Sequence, residues 1–307
     1  MIALTGGSGF LGTTLLRALG KDRVRILGRS KLNNYEGNFA QIELNSSADY
    51  TQALKGVDVV IHLAARAHIM NDIAEDPLAI YRETNTAGTL NLARQASKSG
   101  VKRFIFISSI KVNGESTHLG SPFKNDDLAA PEDPYGVSKM EAEYGLLQLA
   151  KSTGMEIVII RPPLVYGLGV KANFASLMKL ASKNLPLPLG AIKNKRSLVA
   201  IDNLVDLIIT CIDHPNAVNQ TFLVCDDHDV STTELLSELT LASGKMPRLI
   251  PVPMKLIKVV AALLGRKAIS DRLCGSLQID ITHTKDTLGW KPPVSFEHGI
   301  SRCFEKV

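Results

Sequence analysis

The sequence predicts an α/β chain: a Rossmann-type doubly wound parallel sheet with a smaller C-terminal substrate lobe. Two observations carry this. A glycine-rich turn joins a strand to a helix at the start of the chain, and further apolar runs, near-continuous rather than alternating, recur with helical stretches between them. Strands covered on both faces read as unbroken β-branched and aromatic runs, and strand–helix alternation puts them side by side in a parallel sheet whose ligands sit at the carboxyl ends. The 307 residues, 45% hydrophobic and 21% charged, suffice for one large or two modest globular domains.

The first strand is Ile2-Ala3-Leu4. It turns through Thr5-Gly6-Gly7-Ser8-Gly9-Phe10-Leu11-Gly12 into a helix ending near residue 19. Two registers of a dinucleotide fingerprint fit, Gly7-Gly9-Gly12 and Gly6-Gly9-Gly12. In either, the glycines let the backbone turn tightly and approach a pyrophosphate, with the first helical N–H groups facing the phosphates. Strands are expected at 24–27, 57–65, 104–109 and 157–160, and helices at 48–54, 78–99 and 135–153. Gly100 and Gly154 stop the last two helices. Beyond residue 163 the rhythm changes to a helix at 173–184, a Pro-Leu loop at 185–190, a short strand at 197–201, and helices at 203–213, 231–243 and 254–264. Ser231 and Glu234 have the spacing of a capping box. The expected division is a dinucleotide-binding domain over 1–163 and a substrate lobe over 164–307, between which the chain can cross back.

Several classes are excluded. The net charge of +5 is mild, and no basic run resembles a nucleic-acid footprint. Cys211, Cys225, Cys274 and Cys303 are scattered through apolar segments, so no metal site is expected and reduced thiols are. With the first strand starting at Ile2 there is no room for a secretory segment, and a cytoplasmic protein is the expectation. Residues 254–264 are interrupted by Lys258 and fall short of the roughly 20 residues of a membrane span. They read as a core helix, with peripheral membrane contact as the alternative.

The most specific chemistry lies in Tyr135-Gly136-Val137-Ser138-Lys139 at a helix start. Residues four apart share a helix face, so the Lys139 ammonium can stabilise a Tyr135 phenolate that would otherwise form only near pH ~10. Such a pair is common and also fits a surface helix. Its company is what matters: Ser108-Ser109 stand at the carboxyl end of a central strand. Ser108 reads as a residue that satisfies backbone groups there, and Ser109 as a catalytic hydroxyl.

With glycine turn, serine and Tyr-x-x-x-Lys in this order, the chain resembles the extended short-chain dehydrogenase/reductase family along nearly its whole length, particularly bacterial enzymes that modify nucleotide sugars. Residues 58–65, Asn85 with Gly88-Thr89, 108–114, Arg161-Pro162, Val165-Tyr166-Gly167 and Leu288-Gly289-Trp290 add to the resemblance. It implies that Tyr135 donates or accepts the proton, that Lys139 lowers its pKa and holds the nicotinamide ribose, and that Ser109 binds the reacting sugar oxygen. It places the cofactor along Gly6, Gly9, Phe10, Leu11 and Gly12, against Leu63, Ala64 and Ala65, and beside Pro162. A UDP-sugar diphosphate would meet Asn173, Arg196 and, with less regular spacing, Arg272. Many relatives are dimers through the helix that carries the tyrosine, so a homodimer is expected.

Members of this family dehydrate, epimerise or reduce. Dehydratases carry an Asp-Glu pair after the catalytic hydroxyl, whereas Ile110-Lys111 follow Ser109 here. NAD-bound epimerases of the family usually have an aspartate at the end of the second strand, where this chain reads Leu27-Gly28-Arg29-Ser30. Arg29 can pair with a 2′-phosphate, which favours NADP(H) over NAD(H), although it can equally stack on adenine. The expectation is reduction of a UDP-4-keto-N-acetylhexosamine, with a UDP-sugar 4-epimerase as the close alternative and a non-catalytic dinucleotide-binding regulator as the remote one.

Overall fold

The computed structural model describes residues 1–33, 35–66 and 76–305, without the side chains of 172–173 and 268–269. In chain order the strands are β1 (Ile2–Thr5), β2 (Val24–Gly28), β3 (Asn38–Gln41), β4 (Val59–His62), β5 (Arg103–Ile107), β6 (Glu156–Arg161), β7 (Val165–Tyr166), β8 (Arg196–Ser197), β9 (Val199–Ala200), β10 (Gln220–Leu223) and β11 (Asp229–Val230). Seven of them form one sheet in the order β10-β6-β5-β4-β1-β2-β3, every neighbour parallel. The order reverses between β1 and β4, and the crevice beyond their carboxyl ends is where such a sheet takes a ligand.

The near-continuous apolar runs follow from burial on both faces. Ile2, Leu4, Ile26, Ile61, Ile105 and Ile160 point to one core, and Ala3, Leu27, Val60, Phe104, Phe106 and Ile159 to the other. Each large side chain so buried contributes about 1.5–3 kcal/mol relative to exposure. The first core is covered by α1 (Phe10–Leu19), and the second by α3 (Thr89–Lys98), which α2 (Pro77–Tyr81) precedes, and by α4 (Pro134–Thr153). In the second half come α5 (Ala172–Lys183), α6 (Ile201–Asp213), α7 (Thr232–Ala242), α8 (Met254–Leu263), α9 (Lys267–Cys274), α10 (Thr282–Leu288) and α11 (Phe296–Arg302). The chain returns to the sheet after residue 163: Leu204, Leu207 and Ile208 of α6 join the first core, and β10 becomes an edge strand. The capping box forms, with the Ser231 side chain accepting from the Glu234 N–H and the Glu234 carboxylate accepting from the Ser231 N–H.

Three expectations meet corrections, and one strand, β3, is not foreseen. Residues 48–54 form no helix: 51–54 are a turn, and Asp49 accepts from the Thr51 N–H, a local bond that competes with a helix. Strand β3 lies in a stretch that carries no apolar run of its own. The helix expected over 78–99 is interrupted by a π-helical segment at Arg82–Gly88, and such bulges mark functional sites. The core helix expected at 254–264 buries none of the α8 residues.

Candidate active site

The glycine turn resolves to the Gly6-Gly9-Gly12 register. Gly6 has φ +71 and sits so close to β4 that a Cβ would lie 2.8 Å from the Ala64 nitrogen. A Cβ on Gly12 would meet the Gly6 carbonyl at 2.1 Å, so α1 packs on the turn only without a side chain there. Gly9 caps α1, whose first turn holds no acidic residue. Above the turn opens a cavity of about 640 Å³, lined by Gly6, Gly9, Arg29, Glu43, Leu63, Ala64, Ala65 and Arg66 among others. A backbone cradle under a helix N-terminus, fronting a cavity of this size, fits the pyrophosphate and adenosine half of a dinucleotide. Phe10 and Leu11 pack on the first core, Gly12 packs on the turn, and Pro162 is buried with its carbonyl accepting from the Ile110 N–H, so these four hold the walls rather than line the cavity.

Behind the cavity, β4 ends in His62, fully buried. The Thr5 hydroxyl accepts from the Ala64 N–H at 3.1 Å and is hydrogen-bonded to His62 Nδ1 at 2.7 Å, while His62 Nε2 is hydrogen-bonded to the Thr89 hydroxyl at 2.8 Å. Burial, then the nearby Lys139, push His62 down to about 3, which keeps it neutral. It is a structural pin between β1, β4 and α3. Asn85, in the π-helical segment, accepts from the Arg66 N–H and donates to the Arg66 carbonyl and the Ser138 hydroxyl. The cavity wall and the Tyr135 helix are thereby tied together.

The strand β5 ends at Ile107, and Ser108-Ser109 follow. Ser108 is buried, while the partly exposed Ser109 accepts from the Lys111 N–H at 3.3 Å. Helix α4 starts beside this turn: Asp133 caps it by accepting from the Gly136 N–H, and a Cβ at Gly136 would approach the Lys111 carbonyl to 2.9 Å. Lys111 bridges Glu115 at 2.7 Å and Asp133 at 2.5 Å; its burial, which would lower its pKa, is outweighed by these carboxylates. Lys139, 1% exposed, donates to the Ile107 carbonyl at 2.9 Å and sits 5.9 Å from the centre of the Tyr135 ring. The structure therefore brings Ser109, Tyr135 and Lys139 to the carboxyl end of the inner strand β5. Burial lowers Lys139 to about 7, while burial, then the Asp133 and Tyr81 charges, hold the Tyr135 phenol above its ordinary value. Behind them Glu143 and Arg161 form a buried two-pronged ion pair that also engages Asn113.

In the second lobe Arg196 opens β8, and its guanidinium donates to the carbonyls of Arg272 at 2.8 Å and Gly275 at 3.3 Å. Burial holds its pKa below the ordinary guanidinium value. Arg272 itself is exposed on α9. Leu277 pairs with this strand, its carbonyl accepting from the Ser197 N–H. Asn173 lies in α5, with its side chain outside the described residues. Sequence reasoning missed Glu43, Asn85 as a tie and Asn194. Asn194 donates to the Leu273 and Gly275 carbonyls and so fixes the end of α9. Glu43 and Asn194 sit in no recognisable spacing, and Asn85 entered only as part of the resemblance, with no role attached.

The sequence model of the NAD dependent epimerase/dehydratase family matches residues 2–225. A UDP-glucose 4-epimerase of Vibrio cholerae is 56% identical over 98% of this chain and 93% of its own length. The N-acetyl-alpha-D-glucosaminyl-diphospho-ditrans,octacis-undecaprenol 4-epimerase of Escherichia coli O157:H7 is 28% identical over 99% of this chain and 94% of its own. Among solved structures, the UDP-glucuronic acid 4-epimerase of Bacillus cereus in complex with NAD shares the fold at a TM-score of 0.76, with 23% identity over 98% of this chain and 96% of that one. These findings overturn the expected preference for NADP(H): the family is defined by NAD, and NAD is what the solved relative holds. The cavity gives the physical reason. Arg29 and Glu43 are both exposed and both line that cavity, so the cation on which the expectation rested is accompanied there by an acidic residue.

Proposed function

The chain belongs to the NAD dependent epimerase/dehydratase family, and from that premise we propose that it interconverts the C4 epimers of a UDP-linked hexose with a retained NAD. The observation that carries the reading is the trio Ser109, Tyr135 and Lys139 around the end of β5, with a lysine at 111 where elimination of water requires a carboxylate. The 56% identity to a UDP-glucose 4-epimerase over nearly the full length of both chains supports it.

Gly6, Gly9, Arg29, Leu63, Ala64 and Ala65 would hold the dinucleotide from the cavity, with Phe10, Leu11, Gly12 and Pro162 supporting its walls. Bound NAD would supply the hydride acceptor at C4 and, when oxidised, a positive charge at the floor of the site. Tyr135 takes the proton of the C4 hydroxyl as the hydride leaves and gives it back on the return. Burial makes its phenolate costly, and Lys139, on the same helix face and 5.9 Å from the Tyr135 ring, offsets this in its protonated form, which burial restricts to pH below about 7. Its own amine is held against the Ile107 carbonyl, which fixes its position relative to the strand end that bears Ser109. Ser109 donates to the C4 oxygen and keeps the sugar in reach of Tyr135. Arg196, Arg272 and Asn173 would hold the diphosphate, guanidinium being suited to forked phosphate contacts. Epimerisation requires the oxidised sugar to present its other face before the hydride returns.

The test is direct. Nucleotide released on denaturing the purified protein should be NAD, and the native protein should equilibrate UDP-glucose with UDP-galactose, or UDP-GlcNAc with UDP-GalNAc, with no net consumption of nucleotide. Tyr135→Phe should retain NAD and lose about 10²–10⁴-fold in kcat. Stoichiometric oxidation of added reduced nucleotide by a UDP-4-keto sugar, without epimerisation, would replace this reading with the reductase.

A further inference from the structure

Helix α8 reads Met-Lys-Leu-Ile-Lys-Val-Val-Ala-Ala-Leu and buries none of its residues. Its inner edge, Met254 and Ile257, packs on a small core of Leu189, Ile192, Leu236 and Cys274. At roughly 100° per residue, Leu256, Val259, Val260 and Leu263 share the opposite side. They are 53, 56, 46 and 83% exposed, and Leu264 continues the stripe at 68%. Apolar residues scattered singly over a surface need no explanation, but a contiguous stripe on one helix face marks a docking surface.

The charge around the stripe says what it docks on. Residues 239–270 contain Lys245, Arg248, Lys255, Lys258, Arg266 and Lys267, and no Asp or Glu. The chain has 35 Lys and Arg against 30 Asp and Glu, so its entire basic excess sits in this segment and the remainder is slightly acidic. Lys255 and Lys258 fall on the flank of α8 between the core-facing edge and the exposed stripe, where a long side chain can lie along apolar surface and carry its ammonium to a headgroup.

We propose that α8 lays its Leu256–Leu263 face on an anionic membrane surface and docks the protein peripherally there. No described helix is long and apolar enough to cross a membrane, so the contact is interfacial. A second copy of the chain is the poorer occupant. An isologous contact would bring Lys255 and Lys258 against their own copies, and α8 itself carries no carboxylate to answer them. Apolar stripe and basic flank together are what anionic lipid recognises. The proposal is independent of the reaction assigned above, since docking is measured without turnover.

The experiment is cosedimentation of the full-length protein with vesicles of phosphatidylcholine alone and with about one-third phosphatidylglycerol. Binding is expected on the anionic vesicles, weakening as salt rises. The pairs Lys255→Glu/Lys258→Glu and Leu256→Gln/Leu263→Gln should each lower the partition at least about tenfold. These side chains are exposed, so folding should persist, and retention of the native circular dichroism spectrum checks it. No cosedimentation with anionic vesicles, or binding undiminished in either pair, would overturn the proposal. So would self-association of the wild type that disappears in the leucine pair, since a second copy would then cover the stripe.

Discussion

Replacing Lys139 by methionine should change how stability responds to pH, because this amine is nearly inaccessible and burial lowers it from 10.5 to about 7. Between those values the unfolded chain carries a proton that the folded chain has shed. The unfolded state thus binds more protons, and the Lys139 contribution to stability rises with pH, fully lost only below the folded value. The limiting slope is about 1.4 kcal/mol per pH unit. As the amine is half protonated near pH 7, the gain to pH ~8.5 comes to about 2 kcal/mol. Three thiols oppose it: burial pushes Cys211, Cys225 and Cys303 up to about 12, so they stay protonated in the fold while unfolded thiols ionise from about pH 8.5. Their effect lowers stability as pH rises and is shared by wild type and variant, which makes the difference between the two proteins the proper readout. In urea unfolding of nucleotide-free protein with reduced thiols, wild type should gain about 2 kcal/mol relative to Lys139→Met from pH ~7 to ~8.5. A difference that stays constant across that window would refute the buried, depressed amine.

Two further substitutions probe the supports of the site. Gly136→Ala would put a Cβ 2.9 Å from the Lys111 carbonyl and 3.0 Å from Pro131 Cβ, and the start of α4 must back away from the Ser109 turn. A retreat of roughly 0.5 Å should cost about tenfold in kcat and less in KM, and steady-state kinetics showing an unchanged kcat would remove the close approach as a determinant. Glu143→Ala leaves the Arg161 guanidinium, 8% exposed, without its two-pronged carboxylate. Loss of one partner of a buried pair should lower unfolding free energy by about 3–5 kcal/mol in denaturant titration, and a loss below 1 kcal/mol would mean that Asn113 alone holds the charge.

What the sequence made legible was what periodicity and glycine chemistry carry. The unbroken runs at 57–65 and 104–109 read as buried strands because side chains from both faces of β4 and β5 enter a core. Gly154 read as a helix stop because it takes the left-handed conformation at the end of α4, with φ 75. Tyr135 and Lys139 read as a pair because four residues make one helical turn. The depression of Lys139 was not legible, since it arises from walls supplied by β4 and β5. Nor was the role of Asn85, whose side chain, in a π-helical turn that leaves no propensity signal, links Arg66 to a Ser138 that lies 53 residues beyond Asn85 itself. Arg29 was legible as a cation at the end of β2, but Glu43, fourteen residues on and beyond β3, lines the same cavity.

Helix α8 shows the same limit from the other side. A periodic pattern tells which residues share a face, while coverage depends on what the rest of the chain lays against each face. Its ten residues have two apolar edges, Met254 with Ile257 and Leu256 with Val259, Val260 and Leu263, and a lobe of this size covers the first and leaves the second open. A core helix and an interfacial helix are therefore identical in pattern. What separates them is the company of charge, because a core helix has no use for six cations without an acid between residues 239 and 270.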